Sequence, residues 1–79
     1  MTNLEKYNKV FRGMFRKKDE ELPALKYRGI PLWDSIGHMD LVGELEETFD
    51  IRMDTQDVLD FTSYEKGQEV LGRYGVVIE

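Results

Sequence analysis

The stretch from Trp33 to Phe49, WDSIGHMDLVGELEETF, constrains the fold most strongly, because it combines a helix-start signal with a helical hydrophobic period. Its apolar residues share one face when residues are placed about 100° apart around a helix axis: Leu41, Val42, Leu45 and Phe49. Asp34 is a candidate N-cap, so Ser35 falls in the first turn, where free N–H groups favour an attached anion. We therefore predict an acidic, amphipathic helix over 35–49 with Ser35 at its start.

The first third of the chain predicts one helix followed by a long connection. Thr2 and Glu5 have capping-box spacing, and apolar residues then recur at three- and four-residue steps, which predicts a helix over roughly 3–16. Residues 17–33 contain both prolines of the chain and no sustained period. We expect a loop there, with a short helical turn near Glu20–Leu25.

Two shorter helices are predicted in the second half. Asp54 can cap a short helix, and Thr62 opens a capping box for a last helix that ends near Tyr74. The short helix contains the apolar residues Val58, Leu59 and Phe61. Together these signals predict one all-α domain over residues 1–79. It would be a four-helix bundle with a long first loop and a short third helix.

The composition excludes several kinds of site. The 79 residues include no cysteine, so neither a disulfide nor a thiolate zinc site can form. His38 is the only histidine, and we therefore expect no metal site. The sequence shows no signal-peptide pattern, and the apolar run at 76–78 is far shorter than a bilayer span. We expect a cytoplasmic, monomeric protein without membrane contact.

Charge is divided unevenly along the chain. Residues 1–33 hold eight Lys/Arg and four Asp/Glu, a net charge of +4, whereas residues 34–79 hold three and twelve, a net of −9. The acidic part would repel nucleic acid phosphates and attract basic protein surfaces. We expect no nucleic acid partner. A solvated acidic face without a partner would have the same composition.

The Ser35 segment resembles the prosthetic-group segment of acyl carrier proteins, which attach phosphopantetheine to the serine of an Asp-Ser-Leu motif. The matching residues begin with Asp34-Ser35-Ile36 and continue with Leu41, Leu45, Glu46, Glu47, Phe49, Asp50 and Ile51. The resemblance extends over 33–74 and is only topological before that. It implies that Ser35 carries 4′-phosphopantetheine from coenzyme A, with Asp34 beside it, and that the thiol of the arm holds an acyl group as a thioester.

The resemblance also implies partners. Carriers of this family use the serine helix to engage a phosphopantetheinyl transferase and the acyl-loading and acyl-using enzymes. We expect these enzymes to contact the acidic helix through basic docking patches of their own. The expected docking residues lie on the outer stripe of the helix: Ile36, Met39, Asp40, Gly43, Glu44 and Glu47. The Trp-Asp-Ser sequence at residues 33–35 is similar to that of stand-alone carriers outside the core fatty acid pathway. This similarity points to a specialised, fatty-acid- or polyketide-like pathway.

Three residues around Ser35 carry separate expectations. Trp33 is expected to be an aromatic lid on the end of the bundle, and Gly37 to leave backbone uncovered beside the arm. His38 shares a face with the core residues of its helix, so we expect it to be partly buried and hydrogen-bonded.

Three alternatives remain open from the sequence. An aminoacyl or peptidyl carrier would use the same arm on Ser35 with a different cargo. An unmodified helical interaction module would use the acidic helix alone. An enzyme with Ser35 as nucleophile and His38 as base is disfavoured, because a small bundle offers little room for a cleft and no nucleophile elbow is present.

Overall fold

The first helix begins and ends at clear signals. In the computed structural model, which describes residues 1–79, α1 spans Asn3–Phe15. The Glu5 amide donates to the Thr2 hydroxyl at 3.1 Å, and the Thr2 amide donates to the Glu5 carboxylate at 3.0 Å. This reciprocal pair satisfies amides of the first turn and confirms the predicted capping box. Arg16 ends the helix in the left-handed conformation, with φ 56°.

The loop after α1 contains a 3-10 helix, Asp19–Ala24, which confirms the short helical turn predicted there. After this turn the loop pairs with a distant part of the chain. Lys26 and Ser63 form an isolated antiparallel bridge, flanked by a hydrogen bond from the Tyr27 amide to the Thr62 carbonyl at 2.9 Å. The loop is therefore fixed to the segment that precedes the last helix.

Three further helices follow: α2 spans Ser35–Phe49, α3 spans Thr55–Asp60 and α4 spans Tyr64–Gly72. The protein is mostly helical and has no strands, so the predicted all-α class is confirmed. None of the helices combines the length and the apolar character that a bilayer crossing requires.

The start and end of α4 differ from the prediction. Its N-cap is Ser63, whose hydroxyl accepts from the Lys66 amide at 2.9 Å, and not Thr62. The pairing with the long first loop keeps Thr62 and Ser63 outside the helix, which delays its start by one residue. The helix ends at Gly72, before Tyr74, and Gly75 follows with φ 80°.

The hydrophobic core is one cluster of 15 buried residues and is rich in aromatic rings. Trp33 lies inside it and is completely buried, with its ring stacked on Phe15 at a centroid distance of 5.0 Å. The prediction of a lid on the end of the bundle is therefore wrong, because α1 supplies an aromatic face that encloses the indole. The six-residue α3 buries no residue completely, and its Leu59 is 67% exposed.

Candidate functional site

The start of α2 is capped by Asp34 and not by the serine that follows it. The Gly37 amide donates to Asp34 Oδ1 at 2.8 Å, which confirms the predicted N-cap. Ser35 is the first residue of the helix and is exposed to solvent. Because Asp34 already acts as the N-cap, the Ser35 hydroxyl is not needed as an acceptor for the free amides of the first turn.

The two serines of the chain provide an internal contrast. Both lie at helix starts, but Ser63 accepts the Lys66 amide and thereby serves as a cap. Ser35 makes its side-chain contacts outside the helix. Its Oγ lies 3.2 Å from the Tyr27 hydroxyl and accepts from Nη2 of Arg28 at 3.4 Å.

Tyr27 and Arg28 belong to the site, although no pattern in the sequence indicates them. The hydrogen bond with Ser35, followed by the effect of Arg28, holds the pKa of Tyr27 below its ordinary value. The Arg28 guanidinium lies 5.3 Å from the centre of the Tyr27 ring. A hydrogen bond with the Tyr27 hydroxyl raises the pKa of Arg28 above its ordinary value. Arg28 therefore stays charged beside the Ser35 hydroxyl. No periodicity or capping signal marks either residue, because the contact depends on how the loop folds.

Gly37 allows the loop to pack closely on the first turn of α2. A Cβ added at this position would lie 2.0 Å from the Leu32 carbonyl oxygen. The loop thus passes directly over the first turn of α2. Its backbone at Gly37 is covered by Leu32, so the expectation of uncovered backbone is wrong.

His38 connects the loop, α2 and α3. The Trp33 indole N–H donates to Nδ1 of His38 at 3.0 Å, and Nε2 lies 2.8 Å from the Val58 carbonyl oxygen. Partial burial and hydrogen bonding are as predicted. Both ring nitrogens are engaged, so neither is available as a base for the Ser35 hydroxyl.

The predicted docking stripe lies on the surface. All six of its residues are exposed, and two of them are large and apolar: Ile36 is 74% exposed and Met39 is 58% exposed. The three carboxylates of the stripe, on Asp40, Glu44 and Glu47, form no ion pair. Glu46 is different, since its carboxylate accepts the Met53 amide at 2.8 Å and fixes the turn after α2.

Two open recesses flank α2. One of about 510 Å³ adjoins the site and is lined by residues 28–31 together with Trp33 and Asp34. The other, of about 540 Å³, lies between α1 and α2 and is lined partly by Val10, Met14 and Glu44. The first has the position relevant to Ser35, because its lining includes the neighbouring cap residue and Arg28. No group of three or more potential metal ligands is present.

Comparison with known proteins adds no family assignment. No family model, no curated protein and no solved structure matches this chain. The site is therefore defined by its own geometry: an exposed serine at a helix start, freed from capping and contacted by a phenol and a guanidinium.

Proposed function

We propose that this protein is an acyl carrier with an acyl-carrier-like four-helix architecture and that Ser35 carries 4′-phosphopantetheine. The strongest support is that Asp34 and Ser35 have different roles at the start of α2. Asp34 caps the helix, which leaves the exposed Ser35 hydroxyl free for an ester bond. The Asp-Ser-Ile sequence and the acidic helix after it are the second support.

The residues around Ser35 fit a phosphodiester. Arg28 supplies a positive charge next to Oγ and has no carboxylate within ion-pair distance. The first-turn amides of α2 favour a negative charge at the same place. During arm transfer, Ser35 Oγ would give its proton to a base of the transferase and bond to the pantetheine-side phosphorus of coenzyme A. The P–O bond within the diphosphate would break, and adenosine 3′,5′-bisphosphate would leave. The bound arm supplies the thiol that holds an acyl group as a thioester.

The exposed stripe of α2 would present this site to partner enzymes in the cytoplasm. Ile36 and Met39 provide apolar contact next to Ser35, and such residues can insert into a partner pocket. The unpaired carboxylates farther along the helix can meet Lys or Arg of a transferase or of acyl-loading and acyl-using enzymes. The specialised pathway and the acyl cargo are part of the proposal, and an aminoacyl cargo on the same arm is its closest variant.

Intact-mass analysis tests this function directly. The protein would be incubated with coenzyme A and a broad-specificity phosphopantetheinyl transferase, beside Ser35→Ala and Ser63→Ala. We expect one added phosphopantetheine on the wild type and on Ser63→Ala, and none on Ser35→Ala. Ser63→Ala is the matched control, because it removes the only other serine, also at a helix start.

Absence of the arm from folded wild type with two different transferases would overturn the carrier proposal. The unmodified interaction module would then be the better account of the acidic helix. That alternative makes its own prediction, namely that Ser35→Ala retains full binding to its partner.

A further inference from the structure

The Arg28 side chain lies beside Ser35 for reasons that the helices alone do not explain. Three non-glycine residues have positive φ, and two of them, Arg16 and Asp50, end helices. Arg28, with φ 63°, lies within the loop. Its amide donates to the Trp33 carbonyl at 2.8 Å, which closes a turn directly before the site. Residues other than glycine seldom adopt this backbone conformation, so the surroundings of the turn must stabilise it.

Tyr27 is held by a long-range backbone hydrogen bond. Its amide donates to the Thr62 carbonyl, and its hydroxyl lies 3.2 Å from Ser35 Oγ. Two polar groups from adjacent loop residues thus converge on one serine oxygen. A guanidinium has five N–H donors in a planar fork that matches phosphate oxygens, and a phenol can donate one more.

The geometry points to a phosphate-binding role: we propose that Arg28 and Tyr27 bind the phosphate oxygens of a phosphodiester on Ser35 and thereby position the attached arm. This inference rests on the proposed function for the identity of the ester. Arg28 offsets the repulsion between the new negative charge and the Asp34 carboxylate next to it. The recess of about 510 Å³, lined by Arg28 and Asp34 among others, gives the group room.

The test compares modified and unmodified forms of each variant, so that any effect of the substitution on the fold itself cancels. Wild type, Arg28→Gln, Tyr27→Phe and Arg16→Gln would each be prepared with and without the arm, with intact mass as the check. Arg16→Gln is the matched control, because it removes the same charge from the same left-handed conformation at the end of α1. A second set would carry genetically encoded phosphoserine in place of Ser35, which needs no transferase.

The readouts are the midpoint of thermal unfolding and the ³¹P chemical shift. We expect the wild-type midpoint to rise by about 4 °C on modification, the size that one modest charge contact gives in a domain of this length. Arg16→Gln should keep this rise, Tyr27→Phe should lose part of it, and Arg28→Gln should lose most of it. The ³¹P shift should move in both loop variants and stay unchanged in Arg16→Gln, and 1 M NaCl should reduce the wild-type rise.

The outcomes separate this inference from the carrier proposal. An equal rise in wild type and Arg28→Gln, or no rise in either modified form of the wild type, would overturn it. If transferases add nothing but the phosphoserine protein shows the Arg28-dependent rise, the carrier proposal fails and the phosphate-binding role stands. If Arg28→Gln does not fold, the comparison of Tyr27→Phe with wild type decides: an undiminished rise and an unmoved ³¹P shift would reject the role.

Discussion

The indole N–H of Trp33 donates to Nδ1 of His38 at 3.0 Å, and this hydrogen bond fixes the tautomer of the imidazole. Because an indole nitrogen can only donate, Nδ1 must accept, and the ring proton resides on Nε2. Nε2 then donates to the Val58 carbonyl at 2.8 Å. His38 is therefore a neutral bridge from the loop before Ser35 to α3.

Replacement of His38 by Phe should destabilise the protein. The indole N–H of Trp33 and the carbonyl of Val58 would both lose their partners, which lowers the free energy of unfolding by about 1–3 kcal/mol. Urea unfolding can be followed by the emission of Trp33, the only tryptophan. Thr55→Ala, at an exposed residue of α3, is the control. An unchanged midpoint in His38→Phe would show that the bridge contributes nothing to stability.

Asp34→Ala should cost about 1 kcal/mol of unfolding free energy, because the Gly37 amide loses its cap. Ser35→Ala should change it by much less, since its hydroxyl caps no amide. Ser63→Ala should resemble Asp34→Ala, as it removes the acceptor of the Lys66 amide. Urea denaturation of the three variants measures the order of their unfolding free energies. A Ser35→Ala variant as unstable as Asp34→Ala would contradict this assignment of the cap.

Two glycines of α2 should respond to alanine in opposite directions. Gly37→Ala would place Cβ 2.0 Å from the Leu32 carbonyl oxygen, so the loop must shift and the melting temperature should fall. Gly43 has open space around it and is exposed, so Gly43→Ala should gain about 0.5–1 kcal/mol from helix propensity. Calorimetry on both variants tests the pair. Equal effects would show that the close approach of Leu32 does not hold in solution.

The Asp57 carboxylate should make stability sensitive to acid. Hydrogen bonds from Tyr74 and then Arg73 hold the pKa of Asp57 below its ordinary value. A carboxyl group with a lower pKa in the folded state binds fewer protons there than when unfolded. Its contribution is therefore present at neutral pH and is lost as the pH falls below about 4.

Unfolding free energies of wild type and Asp57→Asn at pH 7 and pH 3 measure this effect. We expect a clear deficit of the variant at pH 7 and a smaller one at pH 3. Asp40→Asn, at an exposed carboxylate without an ion pair, is the control. A deficit of constant size over this range would reject the role of Asp57.

Exposed apolar residues should differ in their effect on arm transfer. Ile36 adjoins Ser35 and is 74% exposed, whereas Leu59 lies on α3 and is 67% exposed. If partners dock on α2, Ile36→Asp should lower kcat/KM of the transferase by roughly tenfold, the equivalent of about 1.4 kcal/mol of lost contact. Leu59→Asp should leave it near the wild-type value. Equal rates for both variants would exclude Ile36 from the transferase contact.

Local signals were sufficient to predict α1 and α2. The capping box at Thr2, the cap at Asp34 and the apolar periods of α1 and α2 depend on neighbours within about one or two helical turns, so they can be recognised in the sequence. The exposure of Ile36 and the partial burial of His38 follow from the same helical geometry. The resemblance to acyl carriers located the serine and named its group, and that assignment remains a proposal.

Long-range contacts account for what the sequence did not predict. Trp33 is fully buried because α1 and the loop enclose it, and Leu59 is exposed because α3 is too short to be covered. Gly37 is constrained by a loop carbonyl that no local pattern reveals. Tyr27 and Arg28 reach Ser35 only through the path of a loop without periodicity.

The pairing of the Tyr27 amide with the Thr62 carbonyl has a consequence for the order of folding events. Contacts between distant positions require closure of a long chain segment, so they form later than local helical turns. During synthesis, Ser35 leaves the ribosomal exit tunnel before Thr62, which lies later in the chain. The nascent chain therefore exposes its serine before Tyr27 and Arg28 are fixed beside it, and the complete surroundings of Ser35 exist only after the last helix has docked.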